Sequence, residues 1–263
     1  MKKQQKKHHR GNFFSNIILI IAIGIFLFSG YKLYDIYAEY RKGDKEYEHI
    51  QKVVIQQEPQ KEEDDGDKQP DFIVDFEALK SMNQDTVGWI RFDEPKQISY
   101  PLVKGLDNSK YLRTTFEGKR NAAGALFLDV ANAADFSDRN TFIYGHNMKN
   151  GSMFGQLRKF KNAAFCEQNP YFYISTPDGR ESKYQIFAVK VVSDTSANYR
   201  KEYMDDADFL QYIQMIRQGS VCSPNVEIGA DAKIVSLSTC TNVRDDERLL
   251  VHGVKISEKI VGE

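Results

Sequence analysis

Hydrophobic residues along the chain form one long apolar run and then many short ones. The long run, residues 13–30, contains no charged residue. As a helix it spans roughly 27 Å, which is close to the thickness of the hydrocarbon layer of a membrane. We therefore predict a retained transmembrane helix. The alternative is a cleaved signal peptide, which is usually shorter and is followed by a small-residue cleavage site.

The short apolar runs lie in the later part of the chain and are separated by turn residues. Apolar positions at Phe72, Phe76, Leu79 and Met82 have the spacing of one helix face. The following runs predict eight strands, at 89–92, 98–103, 125–129, 141–144, 171–175, 184–192, 233–238 and 249–256. A further helix is predicted at 205–219, with acids at its start and a glycine at its end. Short strands with few helices favour a barrel or a sandwich.

Charge is unevenly distributed along a chain whose formal net charge is −1. The first ten positions hold basic residues and no acid, at Lys2, Lys3, Lys6, Lys7 and Arg10. Because basic flanks stay on the cytoplasmic side, we predict a single-pass membrane protein with a cytoplasmic tail at 1–12, a transmembrane helix at 13–30 and the rest outside the cell. Residues 31–70 are predicted to form an extracellular stalk and linker, since 58–70 is dense in charge and holds two prolines. One folded domain is expected at 71–263, and the small net charge gives no support for a nucleic-acid partner.

The three cysteines differ in their surroundings. Cys240 ends an apolar run and is followed by Arg244 and Arg248. Cys166 and Cys222 lie in loop or helix-end contexts without such neighbours, and we expect both to be ordinary free thiols. An odd cysteine in an extracellular protein suggests a reactive thiol, which makes Cys240 the candidate nucleophile. The spacing of cysteines and histidines is not that of a zinc site, and we expect neither a metal nor a cofactor.

Two histidines of the folded region are candidates for proton transfer with this thiol. His146 follows an apolar run and begins a loop rich in glycine and asparagine, so we expect its ring at a strand end, where a cleft can form. His252 lies inside an alternating strand and is predicted to be structural. Arg248 directly precedes the last strand, and antiparallel pairing with the preceding strand brings its guanidinium near the thiol, where it can meet an oxyanion. Arg244 lies beside two aspartates and is predicted to be a surface charge.

The motifs around these residues resemble those of the sortases, and of class B in particular. They are SLSTC with an arginine eight residues after its cysteine, YGHNM upstream of it, and DTVGWIRF, ISYPLVKGLDNSKYL and GALFLD further upstream. The likeness covers about residues 71–256, and the N-terminal anchor with an outside C-terminus matches the family's topology. The resemblance implies a mainly β fold, a closed barrel of about eight strands with an N-terminal helix and a helix in the loop before the penultimate strands.

The resemblance also implies cysteine transpeptidation at the outer face of a Gram-positive membrane. Cys240 would attack the carbonyl of the threonine in a C-terminal sorting motif of a secreted protein and form a thioacyl-enzyme. His146 would protonate the leaving amine and then act as base for the incoming one. Arg248 would position the substrate and stabilise the oxyanion. The partner that resolves the intermediate is implied to be an amine of a peptidoglycan precursor.

Residues that line the motif groove are carried over from the same resemblance. They are expected at Asn108, Leu112, Thr195, Tyr199 and Ser238. Arg200 departs from the family pattern, in which an aliphatic residue is expected, and this leaves the motif preference open.

Three other functions stay open on the sequence. A membrane-anchored thiol endopeptidase would share the chemistry up to the thioacyl-enzyme and use water as the acceptor. A pilus-assembling sortase would join protein subunits through a lysine, and it is disfavoured because no second hydrophobic span is predicted after the last strand. A non-enzymatic surface-binding β-domain would bury Cys240 in its core, and the grouping of cysteine, histidine and arginine argues against it.

Overall fold

The computed structural model describes residues 11–57, 72–222 and 224–261. The basic cluster of the first ten positions and the predicted linker at 58–70 lie outside these residues.

A helix of 44 residues, α1 (Gly11–Val54), opens the described part. It is long and apolar enough to cross a membrane, and its most apolar stretch is not buried inside the protein. The chain forms two compact units, and the division falls inside this helix, between Lys42 and Gly43.

The end of α1 belongs to the second compact unit. Tyr47, Ile50 and Val54 are buried, and the hydroxyl of Tyr47 donates a hydrogen bond to the carbonyl of Gly124 at 2.5 Å. The sequence places this segment in the stalk, whereas the structure packs it, because three nonpolar side chains recur at intervals of three and four residues on one helix face.

Two short strands and a second helix follow α1. Strand β1 (Ile55–Gln57) pairs antiparallel with β2 (Phe72–Val74). Helix α2 (Phe76–Met82) begins after Asp75, whose side chain accepts a hydrogen bond from the backbone N–H of Ala78. Phe72 therefore lies in a strand, and the helix predicted to include it begins four residues later, because the N-cap fixes its start.

Eight further strands close into a barrel. They are β3 (Thr86–Phe92), β4 (Ser99–Val103), β5 (Leu126–Leu128), β6 (Asn140–Tyr144), β7 (Tyr171–Ser175), β8 (Arg180–Ser193), β9 (Ile234–Cys240) and β10 (Glu247–Ile260). The order around the barrel is β10-β8-β7-β3-β4-β5-β6-β9. Neighbours pair antiparallel except β4 with β5 and β6 with β9, which are parallel. The predicted closed barrel is confirmed, and the sandwich is excluded.

Aromatic and aliphatic side chains of the barrel strands form much of the core. The largest of those buried on the strands are Trp89, Phe142, Phe172 and Phe187. A short helix, α3 (Ala163–Gln168), precedes β7, and α4 (Asp206–Arg217) lies between β8 and β9. The buried face of α4 packs against residues of β8 and β9. This helix confirms the one predicted at 205–219, with slightly shorter bounds.

Cys166 in α3 and Cys222 after α4 form a disulfide, so the prediction that both are free thiols is wrong. They are 56 residues apart in sequence. The chain after α4 is held on β8 by a hydrogen bond from the N–H of Val221 to the carbonyl of Val189 at 2.8 Å, which helps to fix Cys222 near α3. All three cysteines lie in the described part of the chain, and Cys240 is the free one.

Candidate active site

The parallel pair β6 and β9 brings a histidine and a cysteine to one mouth of the barrel. Tyr144 at the end of β6 is in register with Ser238 on β9, and the N–H of Gly145 donates to the Ser238 carbonyl at 3.1 Å. Cys240 and His146 each lie two residues beyond this registered pair. Because parallel strands end at the same edge of a sheet, the thiol and the imidazole share that edge.

Arg248 reaches the same mouth from β10. The antiparallel register of β9 and β10 places Arg248 directly opposite Cys240, so their Cβ atoms are neighbours. Its guanidinium donates to the Asp194 carboxylate at 3.0 Å and to the backbone carbonyls of Asp245 at 2.6 Å and Glu247 at 3.0 Å. These acceptors fix the guanidinium at the edge of the cleft.

Arg244 is placed differently in the loop between β9 and β10. Its side chain is 72% exposed, and its ion pair with Glu247 is 3.8 Å long. This position is the surface location that the sequence predicts for Arg244.

The imidazole of His146 is oriented by a backbone carbonyl. Its Nε2 lies 2.7 Å from the carbonyl oxygen of Leu112. Since a carbonyl only accepts hydrogen bonds, Nε2 carries a proton in this arrangement. Nδ1 is then the ring nitrogen available to exchange a proton with a thiol or a substrate.

Two asparagines tie the histidine loop to the end of β9. Asn147 Nδ2 donates to the carbonyl of Cys240 at 2.8 Å, and Asn242 Nδ2 donates to the carbonyl of Asn147 at 2.8 Å. Asn242 has a φ of 61°, a left-handed conformation that asparagine tolerates better than most residues. The loop that carries His146 and the loop that follows Cys240 are therefore joined by hydrogen bonds.

A cavity of ≈240 Å³ opens at this mouth of the barrel. It is lined by Asn108, Leu112, Phe127, Tyr144, Gly145, His146, Ser238, Thr239, Cys240 and Arg248. The lining thus contains the three candidate catalytic residues and three of the five groove residues expected from the sequence.

The other two expected groove residues lie outside this lining. The hydroxyl of Tyr199 is 2.7 Å from that of Ser238, so Tyr199 supports the cavity wall through a residue that lines it. Burial raises the pKa of Tyr199 to about 12, which keeps its hydroxyl protonated. Thr195 is exposed, and its hydroxyl lies 3.0 Å from that of Ser193.

Arg200, the position that departs from the family pattern, is directed at the start of α4. Its guanidinium donates to the carbonyl and the carboxylate of Asp208, both at 2.9 Å. It also lies over the rings of Tyr203 and Tyr212, at 5.0 and 5.5 Å. The guanidinium charge of Arg200 is therefore balanced by the carboxylate of Asp208 on α4.

Sequence reasoning missed four residues of the lining: Phe127, Tyr144, Gly145 and Thr239. A Cβ at Gly145 would lie 2.3 Å from the side chain of Leu126, so only glycine lets the chain pass here toward His146. All four lie in quoted motifs, Phe127 in GALFLD, the tyrosine and glycine in YGHNM and Thr239 in SLSTC, and these motifs are the signal that could have pointed to them.

His252 is located in the middle of β10 and is fully buried. Its Nδ1 lies 2.7 Å from the hydroxyl of Ser236, the residue opposite it on β9. Burial, with the nearby charge of Lys190, lowers the pKa of His252 to about 3, so the ring is neutral at physiological pH. The structure gives it the internal position that the sequence predicts.

Comparison with known proteins identifies the family. The Sortase domain model matches residues 94–256, more than half of the chain. Sortase B of Listeria monocytogenes is 31% identical over 254 residues, which cover 94% of this chain and 98% of that protein. The chain belongs to the class B sortases.

Solved structures agree with this assignment. Sortase B of Bacillus anthracis in complex with AAEK1 superposes with a TM-score of 0.72 and 29% identity, covering 84% of this chain and all of that one. A Staphylococcus aureus sortase B–substrate complex superposes with a TM-score of 0.65 and 26% identity, covering 71% and 85% of the two chains. This sortase is therefore a cysteine transpeptidase for sorting motifs, which excludes the non-enzymatic β-domain. The family is associated with the cell surface, and α1 is a possible membrane anchor.

Proposed function

We propose that this sortase cleaves the C-terminal sorting motif of secreted proteins after its threonine and transfers the protein to an amine of a cell-wall precursor. The observation that carries the proposal is the convergence of Cys240, His146 and Arg248 from three strand ends on one cavity. Each of the three residue types supplies one requirement of acyl transfer: a nucleophile, a proton carrier and a donor to an oxyanion.

In the first half of the reaction, the thiol of Cys240 gives its proton to Nδ1 of His146, and the resulting thiolate attacks the threonine carbonyl to form a C–S bond. The tetrahedral oxyanion collapses, and the C–N bond to the following residue breaks. The leaving amine takes a proton from Nδ1 of His146, whose other nitrogen is held by the Leu112 carbonyl. The product is a thioacyl-enzyme and a free C-terminal fragment.

In the second half, an amine of the cell-wall precursor attacks the thioester. Nδ1 of His146 removes a proton from the incoming amine, an amide bond forms and the C–S bond breaks. The departing thiolate then takes this proton from Nδ1, which returns the thiol. The same nitrogen thus serves as acid and then as base, as the reverse direction of each step requires.

Arg248 positions the substrate and stabilises the oxyanion. Asp194 and two backbone carbonyls hold its guanidinium, and Arg248 lies opposite Cys240 on the neighbouring strand. Such preorganised donors stabilise developing charge without reorganising during the reaction.

The motif is proposed to lie along the cavity, against Asn108 and Leu112 on one side and Ser238, supported by Tyr199, on the other. The similar Staphylococcus aureus structure is described as a substrate complex, which supports peptide binding on this fold. Thr195 stays a prediction as a contact at the edge of the groove.

We also propose that the N-terminus is cytoplasmic and that the catalytic domain at 71–263 lies outside the cell. The disulfide of Cys166 and Cys222 supports this orientation, since disulfides persist in oxidising compartments outside the cytosol. The apolar part of α1 supplies a helix that can span the membrane.

The test uses the full chain in detergent with a panel of fluorogenic peptides that carry a central threonine, with and without an added amine. Cleavage after the threonine and an amine-ligated product are expected, with ligation replacing hydrolysis as the amine concentration rises. Hydrolysis that the amine does not divert would establish the thiol endopeptidase instead. Transfer to a protein lysine in preference to cell-wall amines would establish the pilus-assembling function.

A further inference from the structure

One buried carboxylate contacts two residues that line the cavity and a lysine from the neighbouring segment. Asp129 directly follows β5, and its side chain is 2% exposed. Its Oδ2 accepts from Asn108 Nδ2 at 3.2 Å, from the Tyr144 hydroxyl at 2.8 Å and from Lys201 Nζ at 2.7 Å. Three donors from three separate segments therefore meet on one oxygen atom.

These segments form the two walls and the floor of the proposed groove. Asn108 lies on the connection between β4 and β5, and Tyr144 ends β6. Lys201 lies on the connection between β8 and α4, two residues after Tyr199, whose hydroxyl supports Ser238. The Asp129 carboxylate thus joins the wall that holds Asn108 to the segment that holds Lys201 and Tyr199, here called the Tyr199 wall.

The carboxylate stays charged in this position. Burial by itself raises the pKa of Asp129, but hydrogen bonds from Lys201, the Ala131 N–H and Tyr144 outweigh it, so the net pKa is lowered. Hydrogen bonds to a charged acceptor are stronger than neutral ones, which makes this junction stiff.

The same contacts fix the amide of Asn108. Its Nδ2 donates to Asp129, and its Oδ1 accepts from the N–H of Val130 at 2.8 Å. One Nδ2 hydrogen then remains, and it is the group with which Asn108 can meet an acceptor of a bound peptide. Rotation of the amide would break both bonds, so Asp129 determines which atom Asn108 presents.

We propose that Asp129 is a positioning residue that holds the two walls of the groove at the separation that binds the sorting motif, and that it acts on motif affinity rather than on bond cleavage. This inference rests on the proposed function, which places the peptide between Asn108 and the Tyr199 wall.

The decisive variant is Asp129→Asn, which preserves shape and removes the charge. Lys201 then loses its ionic partner, and the new amide can no longer accept from all three donors. We expect KM for a cleaved sorting peptide to rise about 10- to 100-fold, as for the loss of charged hydrogen bonds, with kcat changed less than about threefold. The full chain is used throughout, and alkylation of Cys240 by iodoacetamide should proceed at the wild-type rate.

Asp138→Asn is the matched control. Oδ2 of Asp138 accepts from Asn132 Nδ2 at 2.9 Å and from the Ala133 N–H at 2.7 Å, and Asp138 is not part of the cavity lining. We expect it to leave KM at the wild-type value. A KM increase as large as that of Asp129→Asn would mean that both effects are a general loss of stability, and would overturn the proposal.

Lys201→Met keeps the test informative should Asp129→Asn fail to fold. It removes one donor and leaves those of Asn108 and Tyr144 in place. We therefore expect a smaller KM increase of about 3- to 10-fold, in the range of one hydrogen bond. An unchanged KM in the folded variants, or a fall in kcat without a change in KM, would refute the positioning role. Wild-type protein that cleaves no sorting peptide would instead refute the proposed function.

Discussion

Two histidines, one just beyond the end of a barrel strand and one in the middle of a strand, lie in different surroundings. At the mouth, His146 follows β6 and has one nitrogen held by a carbonyl, with the other available. In the middle of β10, His252 is fully buried beside the Ser236 hydroxyl, and burial lowers its pKa to about 3.

Strand position explains this difference. His252 lies in the middle of its strand and is linked through Ser236 and Asn140 to Tyr212 of α4. A side chain enclosed in this way has no contact with water, so an ionised form is costly there. Where parallel strands end, their side chains face a cavity and can meet a substrate. The residue type alone does not decide whether a histidine has a structural or a catalytic role.

The largest expected effect separates the two histidines. His146→Ala should lower the rate of peptide cleavage about 10²- to 10⁴-fold, because the leaving amine loses its proton donor. His252→Ala should retain most activity per folded molecule, although it leaves an internal cavity. Cleavage rates normalised to the folded fraction make the comparison. An inactive His252→Ala protein with an active His146→Ala protein would reverse the assignment.

The two arginines of the β9–β10 region provide the next comparison. Arg248→Lys keeps the charge but loses the planar fork, and we expect a loss of about 10²- to 10³-fold, as for removal of one oxyanion donor. Arg244→Lys is the control and should retain nearly full activity, since its side chain is 72% exposed. Loss of activity in the control alone would show that the wrong arginine was chosen.

The disulfide should affect stability and leave chemistry intact. Replacing Cys166 and Cys222 by serine opens a loop of 56 residues, for which chain entropy gives a loss of about 4 kcal/mol in the free energy of unfolding. Urea unfolding of the double variant measures the loss. Peptide cleavage by the folded variant should stay near the wild-type rate, and a selective loss of cleavage would instead link the disulfide to the active site.

The smallest effect is the pH dependence contributed by His252. Its pKa is about 3 in the folded chain and near 6.5 when unfolded, so between these values the unfolded state binds a proton that the folded state does not. Above pH 6.5 this residue therefore does not lower the free energy of unfolding. Below that pH, it lowers the free energy of unfolding by up to about 1.4 kcal/mol per pH unit, down to pH 3. Unfolding of His252→Gln between pH 6.5 and 5 should show a shallower slope than wild type. Equal slopes would contradict the buried neutral state.

Much of this comparison could be predicted from the sequence. Strands appear as short apolar runs, and the alternation around His252 places it inside a strand, while the end of a run before His146 and Cys240 places both at strand ends. These predictions depend only on residues that are neighbours in the sequence, so they do not require knowledge of the tertiary contacts.

Other features depend on contacts that no local pattern encodes. The approach of Cys166 to Cys222 depends on how α3 and the segment after α4 pack near β8. Asp129 ends a predicted strand, and its sequence neighbours do not show that three distant segments supply its donors. The end of α1 looks polar enough for a stalk, and only the barrel surface shows why Tyr47, Ile50 and Val54 recur on one face.

The most direct test of the central claim is the mass of the enzyme during turnover of a sorting peptide without an amine acceptor. The account predicts a transient adduct on Cys240 whose mass equals the peptide fragment that ends in threonine, absent in Cys240→Ala and lost again when an amine is added. Continued cleavage by Cys240→Ala, or an adduct on another residue, would contradict it.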